Sequence, residues 1–467
     1  MKLVFVNIMQ ELQRFDSTAY ITQPPVPLAL LNGATPPEIE TALVDEQTDR
    51  VALAGDVFAF SVSTQNALAV YGHADRLRRA GKTVILGGIH VTVCPDEAAE
   101  HADAIVTGEA ETIWPTVCAD LLAGSLAERY AGSPTPPAQM AAVDYRFFAC
   151  RKYLTPAALF ATRGCTRSCS FCVSSRHMGP YRTKPLAVVE QEIDQLAELY
   201  PGAFLQFSDD NLLADPDYRG DLLALLRRKH SRFVTMVTVD QLCDAALLEE
   251  LAAAGCLGVA VGVESLEDEN CAAVRKYQNL EQPFAAAVEH ANELGVQTGA
   301  LIMVGLPHDT PAGLTRAARY LARIPCSAFD VRVMRVYPST GLYRELLARG
   351  EVTENWWLTD REAATGNHLL PSSLSINFAH PAFAPLELQR RALELVDTLN
   401  RTTPESLARI VGVGRRGRGL KFAATTLFVR RRLARQARVL LRSFEREFGA
   451  QSASPRGSYR WGWLRKS

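Results

Sequence analysis

The sequence predicts an α/β protein in which an N-terminal doubly wound (Rossmann-like) sheet precedes a partial parallel βα (TIM-like) barrel and a helical C-terminal region. Two observations lead to this fold class. Short β-type runs alternate with helical stretches in both halves of the chain, and a segment with three prolines in six residues, 132–137, separates the halves. The predicted regions, in chain order, are a sheet domain 1–130, a linker 131–152, a barrel 153–345, a substrate cap 346–400 and a basic tail 401–467.

Each predicted strand of the first domain is a short apolar run, and helical stretches such as 67–80 lie between these runs. The runs cover residues 3–8, 57–62, 84–88 and 104–107. In a doubly wound sheet, ligands bind beyond the carboxyl ends of the strands. The small, polar or charged residues near those ends are Ser61, Ser63, Thr64, Gly87, Gly88, His90, Gly108, Glu109 and Glu111. Ordinary βα turns favour the same residue types, so a ligand site and plain turn chemistry remain alternatives at this point.

The second half repeats the alternation of strands and helices, which indicates a parallel βα barrel with its chemistry at the carboxyl ends of the strands. Its predicted strands are 158–162, 204–208, 233–237, 259–263, 299–304 and 330–336. After this pattern ends, Trp356, Trp357 and an amphipathic segment 386–399 are interpreted as a cap over the barrel mouth. Arg332 and Arg335 on the last strand either meet an anionic substrate or pair with nearby acids such as Asp330.

Composition excludes several classes of protein. Hydrophobic residues make up 48% of the chain and charged residues 22%, which are values of a globular protein with a large core. The formal net charge is −1, so no overall field attracts nucleic acid. The chain lacks an apolar run long enough to span a membrane, and we expect a cytoplasmic protein. Ten cysteines in 467 residues do not form a disulfide scaffold and favour metal binding or catalysis.

Three of these cysteines form a compact motif directly after the first predicted barrel strand. Cys165, Cys169 and Cys172 follow one another at spacings of four and three residues. A zinc site would need a fourth ligand, for which His177 is the local candidate. A cubane iron–sulfur cluster normally takes four thiolates, so three would leave one iron open to an exogenous ligand. A chance grouping of the three cysteines is the remaining alternative.

With the aromatic Phe171 before the last cysteine, this motif resembles the signature loop of the radical SAM superfamily, and the similarity continues through the predicted barrel. The resemblance implies that Cys165, Cys169 and Cys172 are catalytic residues that hold one [4Fe–4S] cluster, with S-adenosylmethionine (SAM) bound at the open iron. It also implies an external electron donor of the flavodoxin or ferredoxin type. The positions that match SAM contacts of the family are Phe171, Asp209, Asn211, Glu264, Ser265, Gly299 and Gly305.

A doubly wound domain before such a barrel is similar to the cobalamin-binding subclass, specifically to its class B methyltransferases. Segment 84–91, followed by 107–111, carries this similarity over nearly all of residues 1–130. The resemblance makes the strand-end residues of the first domain candidate cobalamin contacts. The motif Asp-x-His-x-x-Gly is absent, so we expect cobalamin bound without a histidine ligand. The implied activity is C-methylation of an unactivated carbon in a small molecule, such as a secondary metabolite or a lipid-like compound. Cyclisation, ring rearrangement, epimerisation and dehydrogenation are the alternatives.

The tail combines 17 Lys and Arg with 3 acidic residues and carries an apolar stripe at helical spacing. The stripe consists of Phe422, Val429, Leu433, Ala437, Leu440, Phe444 and Phe448. One interpretation is peripheral contact with an anionic membrane, to which Trp461 and Trp463 would add interfacial aromatic rings. The other is that the helix packs on the acidic body of the protein. The tail has no recognised nucleic-acid-binding fold, and we expect no nucleic acid partner.

Overall fold

A computed structural model describes residues 1–9, 22–177, 179–359, 367–417 and 419–449 of the chain. These residues belong to two compact units. The first extends to Asp210, and the second contains residues 167–172 and the chain from Asn211 onward. The predicted linker is therefore an integral part of the first unit. Backbone N–H groups of Val143 and Tyr145 donate to the side chains of Glu192 and Gln195, at 2.9 Å and 2.7 Å.

The larger sheet of the first unit is parallel and six-stranded in its described part, with the order β2-β1-β3-β4-β5-β6. Its strands are β1 Lys2–Asn7, β2 Glu40–Asp45, β3 Val57–Ser61, β4 Thr83–Gly87, β5 Ala104–Thr107 and β6 Arg129–Ala131. The helices between them are α1 Val26–Gly33, α2 Ala67–Arg79, α3 Ile89–Val93, α4 Pro95–Glu100 and α5 Trp114–Ala123. The order reverses between β1 and β3, which is the position where doubly wound sheets bind their ligands. This sheet confirms the predicted N-terminal fold.

The first unit also contains short strands and two helices that follow the proline-rich segment. They are β7 Ala158–Leu159, β8 Thr162–Arg163, α6 Ser174–His177, β9 Arg182–Thr183, α7 Leu186–Leu199 and β10 Leu205–Phe207. Strand β7 pairs in parallel with β10, whereas β8 and β9 are antiparallel. The strand predicted at 158–162 is interrupted after Leu159. The reason is that the N–H groups of Ala161 and Thr162 donate to the carboxylate of Asp209.

The second unit contains four strands that pair in parallel with their neighbours in chain order. They are β11 Phe233–Val237, β12 Cys256–Glu264, β13 Gln297–Val304 and β14 Ala328–Val333. The helices before and between them, and the one after β14, are α8 Pro216–Arg228, α9 Val239–Cys243, α10 Ala245–Ala254, α11 Asp268–Ala273, α12 Phe284–Glu293, α13 Pro311–Leu321 and α14 Gly341–Ala348. Strand β14 ends before the predicted 336 because Val336 exchanges hydrogen bonds with the side chain of Asn377.

Three helices complete the second unit: α15 Pro385–Asn400, α16 Pro404–Arg416 and α17 Leu420–Phe448. Helix α15 packs against β14, α13 and α17. Helix α15 contains segment 386–399 of the predicted cap, covers the sheet as a layer helix and is buried along most of its length. The cap over 346–400 stays a prediction. The aromatic pair of the predicted cap is also fixed to the body of the unit. Trp356 Nε1 donates to the carbonyl of Val336 at 2.8 Å.

Helix α17 packs on its own unit, as the second interpretation of the tail predicts. Arg430 is buried and donates to the carbonyl groups of Ser327, Leu399 and Arg401 at 2.9–3.0 Å. Arg438 pairs with Asp397 at 2.9 Å. The two tryptophans predicted to be interfacial lie outside the described residues. No helix in the described part of the chain has the length and apolar character needed to cross a membrane.

Candidate active site

The cysteine motif lies on the loop between β8 and α6. Gly164 opens this loop with a φ of +77°, and a Cβ atom there would lie 2.9 Å from the carbonyl oxygen of Pro180. Cys165, Cys169 and Cys172 are each half-buried, and none of the ten cysteines forms a disulfide. No group of three His, Cys, Asp or Glu side chains in the described residues is close enough to bind a single metal ion. The thiolates of a cubane bind different iron atoms, so a cluster does not require so tight a group.

Backbone hydrogen bonds anchor the distal part of the loop in the second unit. Ser170 donates its N–H to the carbonyl of Val274 at 3.0 Å and accepts from the N–H of Leu342 at 3.0 Å. Arg167 pairs with Asp240 at 2.7 Å. These contacts fix residues 167–170 of the loop to the second unit.

A buried lysine supplies positive charge beside this part of the loop. Nζ of Lys276 lies 2.5 Å from Oε1 of Glu264 and 6.0 Å from the centroid of the Phe171 ring. Burial alone would lower the pKa of Lys276, but Glu264 and the nearby Cys169 and Cys172 raise it above its ordinary value. A fixed cation favours an anionic group on the loop, such as a thiolate-ligated cluster.

The thiol of Cys169 has its own hydrogen-bond donor. Nε2 of Gln278 lies 3.8 Å from Sγ of Cys169. Burial raises the pKa of this thiol, while Lys276 and Gln278 lower it, and the net result is a raised pKa. The free thiol is therefore protonated at neutral pH and must release its proton to bind metal. Lys276 and Gln278 were missed in the sequence because no spacing pattern connects them to the cysteines.

Three predicted SAM residues of the second unit have partners within the protein. Glu264, at φ +57°, is paired with Lys276. Ser265 Oγ accepts from the N–H of Glu267 at 3.1 Å, and its role is therefore a turn-capping one. Asn211 Oδ1 accepts from the side chain of Gln241 at 3.2 Å. These contacts explain the residues without a ligand, and their assignment to SAM stays a prediction.

The two glycines predicted to contact SAM, Gly299 on β13 and Gly305 just after it, differ in how closely neighbouring atoms surround them. A Cβ atom at Gly305, whose φ is +85°, would lie 2.8 Å from Cδ2 of Leu388, so packing and backbone conformation both require glycine there. At Gly299 the nearest atom to an added Cβ is the carbonyl oxygen of Val259, at 3.9 Å. No neighbouring atom in the described protein therefore requires glycine at position 299. The missing side chain leaves room there for the close approach of a flat ligand.

Asp209, a predicted SAM residue of the first unit, is almost completely buried. Its Oδ1 atom accepts hydrogen bonds from Ala161 N, Thr162 N and Thr162 Oγ1. Burial raises its pKa to about 7, against the lowering effect of these donors. Its Oδ2 atom has no hydrogen-bond partner among the described residues. The structure thus gives Asp209 a role in holding the start of the cysteine loop.

A cavity of about 360 Å³ lies within the first unit, beyond the carboxyl ends of β3, β4 and β5. Phe160, Arg163, Ser208 and Asp210, which follow or end the short strands of this unit, complete its wall. The predicted strand-end residues that line the cavity are Ser61, Gly87, Gly88, Gly108, Glu109 and Glu111. Its apolar surface includes Leu28, Leu31, Phe60, Ile89, Trp114 and Met140. Ser63, Thr64 and His90 do not line this cavity.

His90 is fully buried and both of its ring nitrogens have partners. Nδ1 lies 3.1 Å from Oγ1 of Thr64, and Nε2 lies 3.1 Å from Oε1 of Glu97. His90 and Thr64 thus form an interior hydrogen-bond chain with Glu97, and their assignment as cobalamin contacts stays a prediction.

Glu109 and Glu111 line the cavity but are also paired with arginines. Glu109 accepts from Arg182 at 2.5 Å and from Arg163 at 2.8 Å, and Glu111 pairs with Arg163 at 2.6 Å. Burial would raise the pKa of Glu109, but hydrogen bonds from Arg182 and Thr135 and the charge of Arg163 lower it to about 2. These ion pairs join the loop after β5 to β8 and β9, and they account for both glutamates structurally.

The two neighbouring glycines of β4 and its loop also have different roles. A Cβ atom at Gly88, with φ +106°, would lie 2.7 Å and 2.8 Å from backbone atoms of Val62. At Gly87 the nearest contact of a Cβ atom is an ordinary 3.6 Å to the carbonyl of Val106. Gly88 is therefore required by the backbone conformation and packing of the fold. Gly87 is not, and its lack of a side chain leaves space in the cavity that it lines.

The arginines on and after β14 pair within the second unit. Arg332 forms an ion pair with Asp330 at 2.8 Å, as one of the two alternatives predicted. The guanidinium carbon of Arg335 lies 4.3 Å from the centroid of a Trp356 ring. Neither arrangement requires an anionic substrate.

Comparison with known proteins shows which family model and which characterised proteins the chain resembles. Residues 159–321 match the model of the radical SAM superfamily. Over 349 residues the chain is 28% identical to the bacteriochlorophyllide d C-8(2)-methyltransferase of Chlorobaculum tepidum, covering 70% of this chain and 77% of that protein.

Two solved structures have a similar fold. One is the radical SAM methyltransferase TsrM of Kitasatospora setae with cobalamin and a [4Fe–4S] cluster bound, at a TM-score of 0.65 and 17% identity over 94% of this chain and 99% of that one. The other is the cobalamin-dependent SAM radical enzyme OxsB with aqua-cobalamin bound, at a TM-score of 0.60 and 12% identity over 96% and 81%. At these sequence identities, both similarities show a shared fold.

Proposed function

Because residues 159–321 form a radical SAM domain and the chain belongs to that superfamily, we propose that it is a cobalamin-dependent methyltransferase that acts on an unactivated carbon of a small molecule. The observation that carries the proposal is the cavity of the first unit. It lies beyond the carboxyl ends of β3 to β5 and is completed by residues next to the cysteine loop, such as Thr162 and Arg163. The relative from Chlorobaculum tepidum, named as a C-methyltransferase, favours methylation over the other reactions.

The donor set on the loop fits a [4Fe–4S] cluster. Cys165, Cys169 and Cys172 would supply three thiolates and leave one iron for SAM. When bound and reduced by an external donor, such a cluster supplies the electron for SAM cleavage, and cobalamin supplies a methyl carrier. Lys276 holds positive charge beside the loop, and Gly299 leaves space at β13 for a flat group such as adenine.

The cavity fits the corrin ring in chemical character. Its apolar wall includes Leu31, Phe60 and Trp114, and small residues such as Ser61 and Gly87 stand at the strand ends. The apolar side chains exclude water, which protects radical chemistry from quenching by solvent. Because His90 is held by Thr64 and Glu97, we propose that cobalamin binds without a histidine ligand.

A product analysis tests this function. Anaerobically reconstituted protein is incubated with SAM and a chemical reductant, with and without hydroxocobalamin. We expect 5′-deoxyadenosine in both samples. With cobalamin we also expect S-adenosylhomocysteine, because only methyl transfer from SAM produces it. Equal amounts of S-adenosylhomocysteine with and without cobalamin would contradict a cobalamin-dependent methyltransferase. 5′-Deoxyadenosine without S-adenosylhomocysteine in both samples would favour an epimerase or a dehydrogenase.

We also propose that the outer face of α17 contacts anionic lipid. This face has five exposed arginines, together with Phe428 and Val439, whose exposed fractions are 50% and 54%. The arginines are Arg431, Arg432, Arg435, Arg442 and Arg446. Each basic residue near an anionic membrane surface contributes about 1 kcal/mol to binding. Because the inner stripe of α17 is packed on the protein, charge would provide most of this attraction.

A further inference from the structure

Segment 274–279 contacts the cysteine loop at three points within the second unit. The carbonyl of Val274 accepts from the N–H of Ser170 at 3.0 Å, and Lys276 Nζ lies 6.0 Å from the ring centroid of Phe171. The third contact is the side-chain amide of Gln278, whose Nε2 lies 3.8 Å from Sγ of Cys169. Gln278 is the member of this segment whose side chain approaches a cysteine sulfur directly.

The amide of Gln278 is held on a fixed backbone. Next to it, the side chain of Asn279 donates to the carbonyl groups of Gly262 and Val263 at 2.9 Å and 2.7 Å. Lys276 N donates to the carbonyl of Cys271 at 2.7 Å. The segment is therefore tied to the end of β12 on one side and to α11 on the other, and these ties hold the amide near Cys169.

We propose that Gln278 is a positioning residue that tunes the reduction potential of the cluster through an N–H···S hydrogen bond to Cys169. This inference rests on the proposed function, because it requires the cluster. Hydrogen bonds to the sulfur ligands are among the features that set cluster potentials, since they stabilise the more negative, reduced state. Lys276 also acts on this sulfur through its charge, which Glu264 partly balances at 2.5 Å. The neutral amide of Gln278 has no such counter-charge.

The hydrogen bond also orients Cys169. An N–H donor on one side of its sulfur favours the rotamer of Cys169 in which this hydrogen bond forms. Loss of the donor is thus expected to alter the electronic environment of one iron ligand while the other two cysteines remain unchanged.

The test compares Gln278→Met with Gln278→Glu and with the control Tyr277→Phe. Methionine keeps the length of the side chain without a donor, glutamate replaces the donor by an acceptor, and Tyr277 is 59% exposed on the same segment. Each variant of the full chain is reconstituted anaerobically and assayed for iron. The midpoint potential is then measured by a redox titration followed by electron paramagnetic resonance.

We expect both Gln278 variants to retain their iron and to have a lower potential than the wild type. For Gln278→Met, the loss of a hydrogen bond to a charged sulfur corresponds to about a tenfold change in the equilibrium constant of reduction, or about 59 mV for a one-electron couple. Tyr277→Phe should leave the potential unchanged. Wild-type potentials in both Gln278 variants with full iron content would overturn the inference. Failure of the wild type to assemble a cluster would instead contradict the proposed function.

Discussion

Nε2 of His90 lies 3.1 Å from Oε1 of Glu97, and the imidazole between Glu97 and Thr64 is completely buried. Both ring nitrogens are thus engaged inside the first unit, although His90 follows the strand-end glycines of β4. The role of this histidine is therefore to hold α3 and α4 against the sheet.

The first prediction concerns His90→Ala. The variant should still bind cobalamin, because His90 does not line the cavity. Its free energy of unfolding should fall by about 1–3 kcal/mol, since Glu97 and Thr64 lose a buried partner. Urea unfolding measures the stability, and the electron paramagnetic resonance spectrum of Co(II) cobalamin reports nitrogen coupling to cobalt. Coupling to a histidine nitrogen that disappears in the variant would contradict the prediction.

The second prediction separates the two glycines at the end of β4. Gly87→Val should fold normally and lose corrinoid binding, because its side chain enters the cavity at an ordinary 3.6 Å from Val106. Gly88→Ala should lower the free energy of unfolding by about 1–3 kcal/mol, since alanine at φ +106° is strained and approaches Val62 at 2.7 Å. Absorption spectra after reconstitution with hydroxocobalamin, together with urea unfolding, distinguish these effects. Full corrinoid binding by Gly87→Val would show that cobalamin does not occupy this cavity.

The third prediction is a pH dependence that originates at Glu109. Its pKa is lowered from 4.5 to about 2, so its ionised form stabilises the folded protein above the unfolded-state pKa of 4.5. This stabilisation, on the order of 1–2 kcal/mol after screening by solvent, is lost as the pH falls from about 5 toward 2. Glu109→Gln should therefore be less stable than the wild type at pH 7, and the difference should shrink on acidification. Glu128→Gln, at an exposed position, is the control.

Urea unfolding of the cofactor-free proteins at pH 7 and at the lowest pH where they remain folded provides the measurement. A stability difference between Glu109→Gln and the wild type that stays constant with pH would show that the ion pairs to Arg163 and Arg182 do not set the acid sensitivity. A stability difference in Glu128→Gln that shrinks on acidification as much as that of Glu109→Gln would point to a general effect of charge.

The fourth prediction concerns the outer face of α17. A triple variant, Arg431→Gln, Arg435→Gln and Arg442→Gln, should bind less to vesicles that contain phosphatidylglycerol, because three exposed charges are removed. Its thermal stability should change little, since exposed substitutions rarely alter stability by more than about 0.5 kcal/mol. Vesicle flotation at low and high salt measures the binding, with pure phosphatidylcholine as the neutral control. Equal binding of variant and wild type to anionic vesicles would refute lipid contact through this face.

Buried strands were predictable because both faces of a parallel sheet are covered and the strands become continuous apolar runs. Strand β5 was predicted at its observed limits, and β11 likewise. Strand β2, with the sequence ETALVD, was not, because it lies at the edge of the sheet and its residues are only partly buried. The two-residue strands β8 and β9 depend on a pairing that no local pattern reveals.

Residues of the candidate site were predictable where the chemistry requires a fixed spacing in the sequence. Residues that approach the site only through the folding of distant segments were not. Cys165, Cys169 and Cys172 were identified because three thiolates on one loop are a motif. Gln278 stands 109 residues from Cys169 in the sequence, and only the path of the chain after β12 brings them together. The hydrogen bonds of His90 to Thr64 and Glu97 were not predictable for a related reason, since turn residues of the same type can either face a ligand or form interior hydrogen bonds.

The central claim is that one chain carries both an iron–sulfur cluster and cobalamin, and metal analysis after anaerobic reconstitution tests it most directly. The wild type and a Cys165→Ala, Cys169→Ala, Cys172→Ala variant are incubated with iron, sulfide and hydroxocobalamin, desalted and assayed for iron, sulfide and cobalt. We predict about four iron and about one cobalt per wild-type chain, and about one cobalt without cluster iron in the variant. Cluster iron retained by the variant, or a wild type without cobalt, would contradict this account.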